Sequence, residues 1–165
     1  MSNNGDLPDR LEPEDEDPAA ILRELLEEVV DAMGLDVEVQ VEREEGMLIG
    51  RVEGEDLGLL IGRRGQTIDA IQHLAQRIVF HAGETEARVV VDAGGYRERR
   101  ATALRTIALD AAEDALATGE AVELEPMPAS ERRIVHEFLR DRDDVSTHSE
   151  GDEPRRYLVV EPSEA

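Results

Sequence analysis

Four residues, Gly62-Arg63-Arg64-Gly65, constrain this chain more than any others, because of what flanks them. Leu57 to Ile61 reads as a short apolar helix, and Gln66 to about His81 as a longer one with Ile68, Ile71, Leu74, Ala75 and Ile78 inward. Two glycines between two helices let the backbone turn tightly and approach a ligand closely. The second helix then offers free N–H groups and a partial positive end at the turn. Arg63 and Arg64 project from the tip and suit bidentate contacts with phosphate. As a bare tetrapeptide the pattern is common and marks only a turn; its position between helices gives it meaning.

The surrounding elements follow from periodicity. Pro18 fits the first turn of a helix with Asp17 as its cap. Ile21, Leu22, Leu25, Leu26, Val29 and Val30 recur at helical spacing, and Gly34 stands where a C-terminal cap belongs. Val37, Val39 and Val41 alternate as in a half-buried strand, Glu45-Gly46 makes a turn, and Met47 to Val52 completes a hairpin. Arg88 to Val91 is a third strand. The order over 18–93 is α-β-β-α-α-β, which defines the first domain. Gly94-Gly95 breaks the chain, and a second domain is expected over 94–165. It comprises a helix over 96–117 with Leu104, Ile107, Ala108, Ala111 and Ala115 on one face, a short strand over Val122 to Leu124, and a helix from Ala129 to Arg140. A hairpin of Val145 to Ser149 and Arg156 to Val160 closes it. Both domains belong to the α+β class. Residues 1–17 are acidic, contain proline and read as a disordered tail.

Charge and composition narrow the function. The net charge of -22 argues against nucleic acid at first sight. Its distribution does not: residues 60–105 hold five acids and eight arginines, and local charge is what a phosphate backbone meets. The acidic remainder reads most simply as a solubilising surface. Phe80, Phe138, Tyr96 and Tyr157 are the only aromatics, too few for a sheet that stacks bases on rings. Cysteine is absent, which excludes disulfides, thiolate metal sites and cysteine nucleophiles. No apolar run approaches the roughly 18 residues of a membrane span, and no secretion signal is visible, so the cytoplasm is the default location.

A second motif lies in the helix after Pro126 and Pro128. Arg132 and His136 are four residues apart and share one helix face, which Arg140 extends, while Ile134, Val135, Phe138 and Leu139 supply the buried side. Two cations and an imidazole in a row suit phosphate and base contacts. Alone, such a pair is more often a solvated helix surface. Catalysis finds no support, since His136 with Glu131 or Glu137 lacks a convergent set of groups. His73, His81 and His148 have no coherent spacing for a metal, and no cofactor is expected.

The Gly-Arg-Arg-Gly segment in its α-β-β-α-α-β setting resembles a type II KH domain. The Arg-x-x-x-His helix resembles the domain family named for that spacing (R-3-H). Gly95-Tyr96-Arg97-Glu98-Arg99-Arg100, Pro126-Met127-Pro128, Val145 to Gly151 and Pro154-Arg155-Arg156-Tyr157 resemble the C-terminal half of the Jag family. That family is also known as KhpB, EloR or SpoIIIJ-associated, and the resemblance covers about residues 18–162. It implies single-stranded RNA binding, with Gly62, Arg63, Arg64, Gly65 and Gln66 clamping the backbone and Arg132, His136 and Arg140 adding a second contact. Ile61 and Ile68 are groove or core residues with equal weight. The resemblance further implies a role in cell elongation and division, and pairing with a small KH-only partner protein (KhpA-like) or with a second copy. Many Jag proteins carry an extra N-terminal domain and a linker; this sequence has the acidic segment there, so membrane recruitment through that domain is not implied. The competing reading is a protein-interaction adaptor that uses its KH fold for dimerisation.

Overall fold

The computed structural model describes residues 17–82 and 87–163. Of the acidic segment 1–17, all but Asp17 lies outside the described residues. The chain divides into two compact units between Tyr96 and Arg97.

The first unit runs α1 (Pro18–Ala32), β1 (Val37–Glu44), β2 (Met47–Gly54), α2 (Gly58–Ile61), α3 (Gln66–His81) and β3 (Arg88–Ala93). Asp17 starts α1 by accepting from the Ala19 N–H at 3.1 Å, and Pro18 occupies the first turn, where its missing N–H costs nothing. The helix lays Leu22, Leu26 and Val30 onto the sheet. It comes closest at Gly50 of β2, where a Cβ would lie 2.5 Å from Leu26 Cδ1. β1 and β2 pair antiparallel across Glu45-Gly46, both with positive φ, the geometry that matches strand twist in a two-residue hairpin. β3 joins β2 in parallel, so the crossover through α2 and α3 is obligatory, and the strand order is β1-β2-β3.

The outer edge of β3 is closed by side chains. Gln72 and Gln76, one turn apart on α3, accept from the Val91 N–H at 3.0 Å and the Val89 N–H at 2.8 Å. The Gln76 amide also donates to the Ala87 carbonyl at 2.8 Å. Two glutamines thus take the place of a fourth strand, which protects an edge that would otherwise invite pairing. They also explain a difference from the expected helix face. The face toward the sheet carries Ile68, Ile71, Ala75 and Val79 together with the glutamines, which turns Leu74 outward to 48% exposure and leaves Ile78 half-buried.

The second unit contains α4 (Tyr96–Thr118, its first residue belonging to the first unit), β4 (Val122–Glu123), α5 (Ala129–Leu139), β5 (Val145–Glu150) and β6 (Tyr157–Pro162). Its sheet is antiparallel, in the order β4-β6-β5. The core joins Leu104, Ala108, Ala111 and Ala112 of α4 to Val135 and Leu139 of α5 and Leu158 and Val160 of β6. Alanine at three of these α4 positions permits close approach, and Ile107, expected inside, points outward. On α5 the inner face is likewise rotated from the expected one. Val135 and Leu139 are buried, Ile134 is half-buried, Phe138 is 38% exposed, and Glu131 and Arg132 occupy inner positions. Among the described residues no helix is long and apolar enough to cross a membrane.

The glutamine clasp on β3 has a direct test. Gln76→Leu leaves the Val89 N–H and the Ala87 carbonyl unpaired at a partly buried edge. The expected loss of unfolding free energy, read by chemical denaturation, is about 1–3 kcal/mol. Amide exchange at Val89 should accelerate in the same variant; unchanged protection there would show that the glutamine does not hold the strand.

Candidate nucleic-acid interface

The first candidate surface is built by backbone. α2 ends when the Ile61 and Gly62 N–H groups donate to the carbonyls of Leu57 and Gly58, both at 2.9 Å. Gly62 then takes φ 74° and ψ 178°, a region open essentially to glycine alone. A Cβ there would also lie 2.8 Å from the Thr67 backbone nitrogen. Arg63 to Gly65 form a single tight turn, with Arg64 left-handed at φ 52° and Gly65 at φ 77°. A Cβ on Gly65 would come within 2.7 Å of the Tyr96 ring, so the turn rests directly on that aromatic. In the sequence Tyr96 stands out only as part of a family pattern; in the structure it supports the loop.

This turn delivers the expected residues to one place. Arg63 and Gln66 are exposed, Arg64 is half-buried, and α3 begins at Gly65 with no side chain capping its first turn. The positive end of a 16-residue helix with glycine at its cap, next to an exposed guanidinium, has the geometry that suits an anion. Of the two groove candidates, Ile68 is fully buried and belongs to the core, while Ile61 is half-buried. Leu59 of α2 is 61% exposed and is the larger apolar surface near the turn.

The second surface lies on α5. Glu131 is withdrawn from it by Arg100, which donates through Nε and Nη2 to its two carboxylate oxygens at 2.7 and 2.9 Å. Arg132 departs from the expected solvated cation. Its side chain is 9% exposed, its Nη2 donates to Glu153 at 2.6 Å, and its Nη1 is buried with no hydrogen-bond partner among the described residues. His136 Nδ1 lies 2.6 Å from the Thr147 hydroxyl.

Arg132, His136 and Thr147 line a pocket of about 330 Å³ with Ala129, Arg133, His148, Ser149 and Leu158. Arg132 and His136 therefore meet, as their spacing implied. Arg140 does not join them: it lies 3.7 Å from the Asp141 carboxylate in solvent and is not part of the lining. The reason is its place in the chain. Arg140 is the C-cap of α5, about a full turn beyond His136, where the helix has already ended. Arg133, the neighbour of Arg132, pairs outward with Glu137 at 2.7 Å, which holds the Glu137 carboxyl below its ordinary pKa.

The sequence reading missed the β5 side of this pocket. Val145 is buried, so Thr147 and Ser149 follow it on the inner face at period two, and that alternation was a usable signal. His148 sits between Glu150, 2.9 Å from Nε2, and Glu161, 3.4 Å from Nδ1. The hydrogen bond to Glu150, reinforced by Glu161, raises its imidazole above the usual pKa. The pocket thus offers guanidinium, imidazole and hydroxyl groups over a Leu158 floor, a set suited to an oxyanion joined to an apolar body. Among the described residues no group of three or more acids or histidines is placed to hold a metal ion.

Comparison with known proteins agrees with this division. Residues 19–91 match the family model described as the KH domain of KhpA/KhpB, and residues 102–162 match that of the Arg-x-x-x-His (R-3-H) domain. The chain is 40% identical over 139 residues to the RNA-binding protein KhpB of Clostridium symbiosum, covering 83% of this chain and 63% of that protein. It is 47% identical over 103 residues to KhpB of Lactiplantibacillus plantarum, covering 62% and 32% of the two chains. With KhpB of Bacillus subtilis it shares 33% identity over 146 residues, covering 87% and 70%. The chain thus spans from about a third to somewhat over two thirds of the length of these relatives. Both matched domains are binding domains rather than catalytic ones, as the sequence indicates. On these matches the chain belongs to the KhpB family.

Proposed function

We propose that the protein binds single-stranded RNA through two surfaces, the Gly62–Gly65 turn with Gln66 and the Arg132/His136 pocket, and that it acts as a cytoplasmic post-transcriptional regulator linked to cell elongation and division. The observation that carries the reading is the turn itself. Its two glycines, each needed for close packing against Thr67 or Tyr96, and the left-handed Arg64 between them set an exposed cation, Arg63, beside the start of α3. A flexible single strand can bring successive phosphates to such a site; a rigid duplex meets it less well. The names of the curated relatives, RNA-binding protein KhpB, support the same ligand class.

A second reading, the protein-interaction adaptor, draws on the exposed apolar side chains Leu59, Leu74 and Phe80 of α2 and α3. They favour pairing with a small KH-only partner or a second copy. Pairing and RNA binding are compatible, and charge reversal separates them. Arg63→Asp with Arg64→Asp puts two carboxylates where phosphate is expected without touching the core. Affinity for a short single-stranded RNA should drop at least tenfold, equivalent to about 1.4 kcal/mol. Unchanged RNA affinity in a folded protein would leave the adaptor reading.

The pocket on α5 predicts a graded series. Arg132→Ala should weaken binding of an RNA long enough to reach both units by about tenfold, and His136→Ala by a smaller factor, because a neutral imidazole contributes one hydrogen bond or a stacking contact. Arg140→Ala should change little, since Arg140 stands outside the pocket. Fluorescence anisotropy titrations, with thermal melts to confirm folding, distinguish this order from equal effects of all three, which would indicate only a diffuse charged surface.

A further inference from the structure

Arg132 is the central cation of the α5 pocket, yet in the structure it is already occupied. Its Nη2 holds Glu153, its Nη1 is buried, and its side chain is 9% exposed. A phosphate that enters the pocket cannot use the guanidinium fully while Glu153 stays in place.

The contact between the two is unequal. A guanidinium and a carboxylate often join through two parallel N–H bonds, and Arg100 and Glu131 do so in the same unit. Arg132 and Glu153 share one bond, and Nη1 is left without a partner among the described residues. An unmet buried N–H is unfavourable, so the present arrangement leaves Arg132 only half satisfied. Glu153 is far less enclosed. It stands on the turn between β5 and β6, and its side chain is 58% exposed, so it can swing into water at little cost. The pocket is lined by Arg132 but not by Glu153, and it brings His136, Thr147 and Ser149 to the same space. A phosphate there would find further donors that Glu153 does not engage.

We propose that Glu153 is an internal stand-in for a ligand phosphate: its carboxylate holds Arg132 in the RNA-free protein, and an RNA phosphate entering the pocket displaces it. The proposal rests on the reading of this pocket as an RNA contact. It accounts for how a permanent charge is kept at a nearly buried position, because Arg132 faces an anion in both states and is never uncompensated. It also gives the site a threshold. An anion displaces Glu153 only if it makes more contact than one carboxylate bond, which a phosphate seated among several donors does and a loosely held surface anion does not.

The test is RNA titration of the full chain carrying Glu153→Gln, which keeps the shape of the side chain and removes its charge. Affinity for a single-stranded RNA that reaches both units should rise, by about fivefold, and the gain should vanish when Arg132→Ala is added. Glu153→Gln binding as wild type or more weakly, while Arg132→Ala alone weakens binding, overturns the stand-in role and leaves the pocket reading intact. A gain that persists in the double variant also overturns it, since Glu153 would then act through general charge. If Arg132→Ala alone leaves binding unchanged, the pocket reading itself fails and the proposal with it. Should the glutamine variant fold poorly, the wild-type protein supplies the answer. On saturation with RNA the Glu153 carboxylate carbon resonance should move to the position of a solvated glutamate, and a resonance that stays in place overturns the proposal.

Discussion

The turn from Gly62 to Gly65 is held in a conformation that side chains oppose, and the first unit is arranged around keeping it there. Gly62 and Gly65 both need positive φ, and a Cβ on either would strike Thr67 or Tyr96. Tyr96 packs against the first unit's core and so ties the turn to the far end of that unit's sequence. Once the turn is fixed, α3 can run only along the sheet. Ile68, Ile71, Ala75 and Val79 then face inward while Gln72 and Gln76 meet the free edge of β3. The same constraint leaves the start of α3 uncapped and Arg63 in solvent. The packing of the unit and the candidate surface are thus two consequences of one backbone geometry.

The second unit solves a different problem, that of placing cations inside a fold whose chain carries a net charge of -22. It does so by pairing them individually. Arg100 takes both oxygens of the buried Glu131, Arg132 takes one oxygen of Glu153, and Arg133 turns outward to Glu137. The exposed members of these pairs add little stability in water. Glu131, held by Arg100, lies on the inner face of α5 with Val135 and Leu139, the face that carries Arg132 as well, and His136 meets Thr147 of β5. An acidic chain can therefore keep individual cations in place, each oriented by an acidic partner.

Most of the element order was legible in the sequence because it depends on local signals. Asp17 and Pro18 mark a helix start, Glu45-Gly46 a hairpin turn, and alternating valines a strand, each through backbone preferences of a few residues. The glycine turn was legible as a tight turn between two helices for the same reason. Helix rotation was harder to read. Leu74, Ile107 and Phe138 are apolar and were expected inside, while Gln72, Gln76 and Arg132 are polar and face inward. The inward polar groups have hydrogen-bond partners elsewhere in the chain: the edge of β3 for the glutamines, and Glu153 for the arginine. Composition and periodicity carry no information on such partners. The β5 side of the pocket was missed differently. Thr147 and Ser149 follow the buried Val145 at period two, but His136, which meets Thr147 and lines the same pocket as both, lies on another element and only the fold brings them together.

On the proposed function, RNA meets this chain at the glycine turn and the α5 pocket. The most direct measurement is a titration of isotope-labelled protein with a single-stranded RNA, followed by backbone amide resonances. The largest shifts should fall on Gly62 to Ile68 and on the pocket set Arg132, His136, Thr147 and Ser149. The outer faces of α1 and β1, which carry much of the acidic charge, should remain unmoved. Shifts concentrated on Leu59, Leu74 and Phe80 in the presence of a KH-only partner, with none at either site when RNA is added, would contradict it.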